Sequence, residues 1–247
     1  WVMCNNCNYI FDTNPTNNFN DLKENKLYRP QTDFINDNKF KNKLKDLSKS
    51  LSYFNDFDSK HNLKLLDFGS SAGYMHEVLK DKNIDVFGVE ISNKYRNYAN
   101  TNNRITYETI NELKKYHEKE SFDIIYMRNS FHFVDDIPNL MREFDSLLKK
   151  DGKIIFYEPS IDFSRDVLSS LLYRHITNHH KHWLSFFSID KIFRHFNYKV
   201  DKKFFRPNKL IFSIKKDHFT RNTNFLFHKS IYMYLNYLYF KTIIKII

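Results

Sequence analysis

Asp67, Gly69, Gly73 and Glu90 are the residues whose types and spacing first suggest chemistry. The stretch LKLLDFGSSAGYM, residues 63–75, is an apolar run that ends in an acid and turns through two of the chain's four glycines. Glycine removes a side chain where backbone must approach a ligand, and it adopts dihedrals that other residues resist. A phosphate loop would carry Lys and then Ser or Thr after the second glycine, and Tyr74 and Met75 stand there instead. A dinucleotide fingerprint would read G-x-G-x-x-G, whereas the spacing here is G-x-x-x-G. Asp67, just before the turn, would repel a pyrophosphate and welcome a cation. Glu90 ends the next apolar run, where a carboxylate can accept both hydroxyls of a ribose. A nucleoside bearing a sulfonium and an amino group meets both demands.

Such residues need elements to hold them. Short apolar runs at 63–68, 85–89, 104–107, 122–127 and 154–158 alternate with amphipathic stretches. The spacing of Leu44, Leu47, Leu51 and Phe54 predicts a helix from Lys41. Ser92 is read as the cap of a helix carrying Tyr95 and Ala99. Another helix is expected near Asp136, with Pro138 in its first turn and Leu140, Phe144, Leu147 and Leu148 buried. Asp151 and Gly152 then turn the chain into the fifth strand. Strands and helices alternating at this pitch predict parallel βαβ units in a doubly wound α/β fold. Ser188 is expected to cap a last helix bearing Ile189, Ile192, Phe193 and Phe196. Two further strands, 198–205 and 210–215, are joined by RPNK, too short for a parallel crossover. The expected sheet is therefore mostly parallel and seven-stranded, and it ends in an antiparallel hairpin.

A chain of 247 residues with 41% hydrophobic and 17% aromatic content fits one such domain with appendages. We expect an irregular extension at 1–40, the α/β domain at 41–217, and an aromatic, basic tail at 218–247. The tail sequence FLFHKSIYMYLNYLYFKTIIKII is too interrupted by Lys, His and Asn to be read as a membrane span. It reads either as an interfacial helix peripheral to the inner face of a membrane or as a segment packed on the domain or a second subunit. The net charge of +10 has two readings, acidic partners or an ordinary basic surface. Phosphorylated small molecules, anionic glycans, a membrane surface and nucleic acid are the acidic candidates. Cys4 and Cys7 form no secreted disulfide framework, and no secretory signal pattern is visible, so a cytoplasmic setting is expected. Opening on Trp1 rather than Met, the chain is expected to be a piece of a longer protein.

LLDFGSSAGY, VFGVEIS, FDIIYM and LLKKDGKIIFYEPS occur in the order and spacing of class I S-adenosylmethionine-dependent methyltransferases. From about residue 63 to 216 the chain resembles that family. Within it, the chain is similar to a branch that carries an N-terminal cysteine-rich zinc ribbon and often modifies sugars or other small metabolites. The resemblance implies a Rossmann-like fold and S-adenosylmethionine as the cofactor. It also implies that Asp67, Gly69, Ser71 and Gly73 line the methionine part, with Glu90 on the ribose. Thr109 and Ile110 fall near the adenine, and Asn129 and Ser130 fall where cofactor and acceptor meet. Asp123 belongs to the family's FD pair. Three positions depart from the pattern. Ser71 replaces the middle glycine, and Phe133 stands at the family's His with His132 one place earlier. Asn197 replaces a glycine, and Asn tolerates the left-handed conformation.

Methyl transfer is an in-line displacement in which aligning the acceptor supplies ~7–11 kcal/mol in favourable cases. An oxygen or carbon acceptor also needs a base, for which His132 and His182 are the candidates. A packing role is the alternative for each. His182 stands at the His of the family's H…F-S segment. Tyr157 and Glu158 are expected to line or shape the acceptor pocket. Cys4-x-x-Cys7 is half of a tetrahedral zinc site, so the resemblance implies a truncated ribbon, and no metal site is expected. The function expected is methyl transfer to a small-molecule or glycan acceptor. The alternatives are a nonenzymatic cofactor-binding or regulatory protein, suggested by Ser71 and Phe133, and a nucleic-acid methyltransferase, suggested by the charge. Nucleic acid is disfavoured as a partner, because neither an Asn/Asp-Pro-Pro-aromatic motif nor a catalytic Cys is present.

Overall fold

Apolar runs of five or six residues bounded by turns bury themselves by pairing side by side under helices on both faces. The computed structural model describes residues 2–3, 9–11, 37–58, 62–160, 181–186, 188–206 and 209–217, and it shows that arrangement. Two short strands come first, β1 (Val2–Met3) and β2 (Ile10–Phe11). The main sheet contains β3 (Leu63–Phe68), β4 (Ile84–Val89), β5 (Thr106–Tyr107), β6 (Phe122–Arg128) and β7 (Leu148–Pro159). β8 (His182–Trp183) leaves it to pair with β2, while β9 (Tyr198–Arg206) and β10 (Lys209–Lys216) complete it. The strand order is β5-β4-β3-β6-β7-β10-β9, parallel from β5 to β7 and antiparallel beyond. From β3 the chain steps outward through β4 to β5, then returns to the other side of β3 as β6. That reversal opens a crevice at the carboxyl ends of β3 and β6, the usual ligand position in such sheets.

The helices are α1 (Asp37–Leu51), α2 (Tyr74–Leu79), α3 (Asn93–Thr101), α4 (Ile110–Leu113), α5 (Ile137–Leu147) and α6 (Ile189–Arg194). Strand residues alternate between two apolar layers. Leu66, Ile125, Ile154, Phe156 and Phe212 face the layer of α5 and α6, where Phe144 and Phe193 lie. Leu65, Ile124, Ile155 and Ile211 face Leu47, Leu51, Met75 and Leu79 of α1 and α2. The strand period of two thus sets both layers.

Several bounds differ from expectation. The first domain helix starts at Asp37, four residues early, and the third strand shrinks to Thr106–Tyr107. Asp151 and Gly152 lie inside β7 rather than before it: pairing skips from Phe122↔Leu148 to Ile124↔Lys153, so the intervening residues bulge. A side chain at Gly152 would stand 2.7 Å from Leu148, which explains the glycine. α5 starts near Asp136 as expected, with Pro138 in the first turn, and Asp136 caps it by accepting the Asn139 N–H at 2.8 Å. Ser92 and Ser188 occupy cap positions, but neither side chain makes the capping bond. Asn197 is left-handed, with φ 62°. Cys4, Cys7 and the tail at 218–247 lie outside the described residues, as do Pro207 and Asn208 of the hairpin turn. Among the described residues no helix is long and apolar enough to cross a membrane, and no group of three His, Cys, Asp or Glu could hold a metal.

Phe156 is fully buried at the centre of the aromatic layer. It stacks on Phe212 with centroids 4.7 Å apart and meets Phe193 at 5.0 Å and Phe131 at 5.6 Å. Phe156→Ala is expected to lower the unfolding free energy by about 3–5 kcal/mol. Urea denaturation checks this, and a loss below about 1 kcal/mol would contradict the packing described.

Candidate functional site

The turn after β3 combines three left-handed residues, Gly69 (φ 82°), Ser71 (φ 51°) and Gly73 (φ 73°). A side chain on Gly69 would stand 2.8 Å from the Ser130 Cβ, because the loop after β6 lies against the turn. Ser130 fixes that approach by donating its hydroxyl to the Phe68 carbonyl at 2.9 Å. Ser71 keeps the backbone of the glycine it replaces, a conformation that costs a non-glycine residue ~1–2 kcal/mol. Glu90 compensates: Oε2 accepts the Ser71 N–H and Oε1 the Ser92 N–H, each at 2.8 Å. The acid at the end of β4 therefore ties the first turn to the next loop.

Asp67 is 6% exposed, and among the described residues its carboxylate has no hydrogen-bond partner. Burial first, and then the neighbouring Glu90, push its pKa up to about 7, with Arg128 opposing. Burial also raises Glu90, against the lowering effect of the Ser92 and Ser71 N–H groups. A buried acid whose ionisation a second acid opposes is favoured by a cation beside it.

A cavity of about 370 Å³ opens alongside the turn. Phe68 and Gly69 bound it below; Glu90 and Ile91 follow from β4, and Glu108 to Asn111 from β5. Ser130, Phe133 and Val134 close it from the β6 side, and Leu140 and Glu143 from α5. Thr109 caps α4 by accepting the Glu112 N–H at 3.1 Å, while Glu112 accepts the Glu108 N–H at 2.6 Å. This variant of the capping box fixes Ile110 and Asn111 against the cavity. Three acids on the wall have basic neighbours: Arg96 for Glu108 at 3.2 Å, Lys114 for Glu143 and Lys181 for Asp135.

Of the residues expected from the sequence, Gly69, Glu90, Thr109, Ile110 and Ser130 share the cavity wall, while Asp67, Ser71 and Gly73 belong to the strand end and turn beside it. Asn129, left-handed at φ 51°, accepts a hydrogen bond from the Lys209 ammonium at 3.2 Å. The wall formed by Phe133 to Asp136 was not anticipated. The Asp136 cap was its available signal, since it fixes where α5 begins and hence which residues precede it across the strand ends.

Neither histidine proposed as a base is on that wall. His132 is 5% exposed, and its Nδ1 lies 2.9 Å from Glu158 Oε2, so Phe133 takes the wall position. Glu158 Oε1 also accepts the Ser130 and Phe131 N–H groups at 3.0 and 3.1 Å, which pins the loop after β6 to the end of β7. His182 Nε2 donates to the Val134 carbonyl at 2.6 Å, since a carbonyl can only accept. Its Nδ1 therefore accepts the Tyr9 hydroxyl, also at 2.6 Å. Burial holds the His182 pKa below the ordinary range, with the Val134 bond opposing.

A family model described as a methyltransferase domain matches residues 29–203. Phosphoethanolamine N-methyltransferase 3 of Arabidopsis thaliana is 29% identical over 123 residues, covering 43% of this chain and 24% of that protein. The chain thus spans about a quarter of that relative's length. An S-adenosylmethionine-dependent methyltransferase from Archaeoglobus fulgidus superposes with a TM-score of 0.55 at 16% identity, over 82% of this chain and 89% of that one. Another, from Mesorhizobium loti, gives 0.52 at 17% identity, over 68% and 96%. At those identities the likeness is one of fold.

Asp67 also makes a prediction that needs no relative. Its pKa is raised on folding from 3.8 to about 7, so its favourable contribution is complete below about pH 4 and lost as pH rises through 7. Asp67→Asn should therefore be more stable than the wild type at about pH 8, by an amount on the order of 4 kcal/mol at most, and lose that advantage towards pH 4. Urea midpoints across this range check it. A difference independent of pH would contradict the burial assigned to the carboxylate.

Proposed function

Since the chain belongs to the methyltransferase-domain family, we propose that it transfers the methyl group of S-adenosylmethionine to a small-molecule acceptor. The observation that carries this reading is the buried Asp67, which accepts no hydrogen bond among the described residues, beside a glycine turn that opens on a cavity with Glu90 on its wall. The residues present fit the cofactor. Asp67, Gly69, Ser71 and Gly73 would take the methionine part, the first offering a carboxylate to its positive charge. Glu90 would accept from the ribose hydroxyls, and Thr109 and Ile110 would border the adenine. When bound, the cofactor supplies a methyl carbon already activated by the sulfonium. Asn129 and Ser130 would align the acceptor where that carbon is presented, and alignment is most of what the reaction requires.

We assign the base role to His182 before His132. The lowered pKa keeps His182 neutral near pH 7, and Nδ1 can take a proton once the Tyr9 hydroxyl turns away. His132, bonded to Glu158, positions the loop that carries Ser130. A small-molecule acceptor is supported by the plant relative, whose name gives phosphoethanolamine as what it methylates. A glycan acceptor belongs to the same reading. The engagement of both histidines favours one other reading, a protein that binds the cofactor without turnover.

Titration calorimetry with S-adenosylhomocysteine tests the cofactor site: Glu90→Ala should weaken binding at least about 10-fold, as expected for losing a charge-assisted bond. Affinity for S-adenosylmethionine should rise from about pH 6 to about pH 8, because a cation binds best once Asp67 is ionised, and Asp67→Asn should flatten that rise. Folded protein that binds neither compound would end the proposal. Turnover is read by mass spectrometry as acceptors heavier by one methylene; binding without any such product would favour the nonenzymatic reading.

A further inference from the structure

Lys209 begins β10 and is paired in register with Pro159, at the end of the sheet where the parallel strands finish. Its ammonium donates to Asn129 Oδ1 at 3.2 Å and stands 5.6 Å from the centroid of the Tyr157 ring. Arg128, the last residue of β6, lies 4.6 Å from the same ring and pairs with Asp46 of α1. Lys153, Lys181 and Lys216, all partly or fully buried, each reach a carboxylate. Among the described residues Lys209 meets only a neutral amide and a ring. Burial pushes its pKa down, Arg128 and Lys43 add to that, and Glu158 and Asp46 oppose it. A half-buried ammonium with a second cation acting on it therefore has no hydrogen-bonded counter-charge among the described residues. An oxyanion delivered between them would supply it, through charge-assisted hydrogen bonds.

The position of the pair matters as much as its charge. Asn129, which holds Lys209, directly precedes Ser130 on the cavity wall, and Arg128 is close enough to act on the Asp67 carboxyl. The two cations therefore stand beyond the turn, on the side of Asp67 away from α4. We infer that Lys209, with Arg128 beside it, forms an oxyanion subsite that binds a carboxylate or phosphate group of a ligand held at the strand ends. The inference rests on the methyl-transfer reading for which ligands reach it. Two can deliver the group: the methionine carboxylate of the cofactor, or an acid group on the acceptor.

Calorimetry on the full chain separates them, with S-adenosylhomocysteine, with methylthioadenosine (which has no carboxylate), and with inorganic phosphate titrated into the S-adenosylhomocysteine complex. Lys209→Met keeps most of the stem and removes the charge. If the cofactor's carboxylate sits there, S-adenosylhomocysteine should weaken roughly 10- to 100-fold in the variant while methylthioadenosine is unchanged. If the acceptor's acid group sits there, both nucleosides should bind as before and phosphate binding should be lost. In either case Lys209→Arg should restore binding. Unchanged affinities for all three probes in a folded Lys209→Met protein would overturn the subsite. Wild-type protein that binds phosphate through Lys209 but neither nucleoside would refute the methyl-transfer reading and leave the subsite standing.

Discussion

Both sides of the ligand crevice depend on a buried carboxylate that accepts two backbone N–H groups. Glu90, at the end of β4, takes the amides of Ser71 and Ser92; Glu158, at the end of β7, takes those of Ser130 and Phe131. Loops at strand ends have no ladder to satisfy their amides, and an unpaired buried amide is costly. Each glutamate meets that need with one side chain and at the same time sets a loop's distance from the next strand. The turn after β3 and the loop after β6 then meet across Gly69 and Ser130, and their contact leaves no room for a side chain on the glycine.

The part of this arrangement legible in the sequence is the part encoded locally. Apolar runs alternating with amphipathic stretches gave the parallel strands, and the Asp67–Gly69–Gly73 spacing marked the turn; Glu90 was read as a ribose ligand, and its bonds to the Ser71 and Ser92 amides were not foreseen. The helix start near Asp136 was visible for the same reason: the signals of a helix terminus act within one helical turn. Side-chain direction was less accessible. His132 and Phe133 are neighbours in a single 3-10 turn, and their sequence order does not reveal that Glu158 claims the histidine and leaves the phenylalanine on the wall. The Tyr9–His182 and Lys209–Asn129 contacts join residues 173 and 80 positions apart, and no periodicity reports such pairs. The bulge at Gly152 was misplaced because a turn within a strand and a turn before one share the same Asp-Gly signal.

Charge behaves differently at two scales. The chain as a whole carries +10, yet the cavity wall bears Glu90, Glu108, Asp135, Asp136 and Glu143. Net charge governs long-range attraction and solubility, whereas a binding site is set by the few groups that line it. Arg96, Lys114 and Lys181 balance Glu108, Glu143 and Asp135 at its rim, whereas Asp67, behind the wall, accepts no hydrogen bond among the described residues. With its pKa raised to about 7, Asp67 is an acid whose charge state a bound cation shifts near neutral pH.

The return of the chain from β5 to the far side of β3 has a consequence for how the molecule assembles. The backbone N–H of Lys64 in β3 meets the Asp123 carboxylate of β6 across 59 residues, while two residues of sequence separate the antiparallel β9 and β10. Closing the long loop loses more chain entropy than zipping the hairpin, so the strand pair that makes the crevice is the later one to gain from its contacts. A ligand needing both walls recognises only the completed sheet. Its binding energy therefore adds to the stability of the whole fold rather than to any part of it, and occupancy becomes a measure of how much of the chain has finished folding.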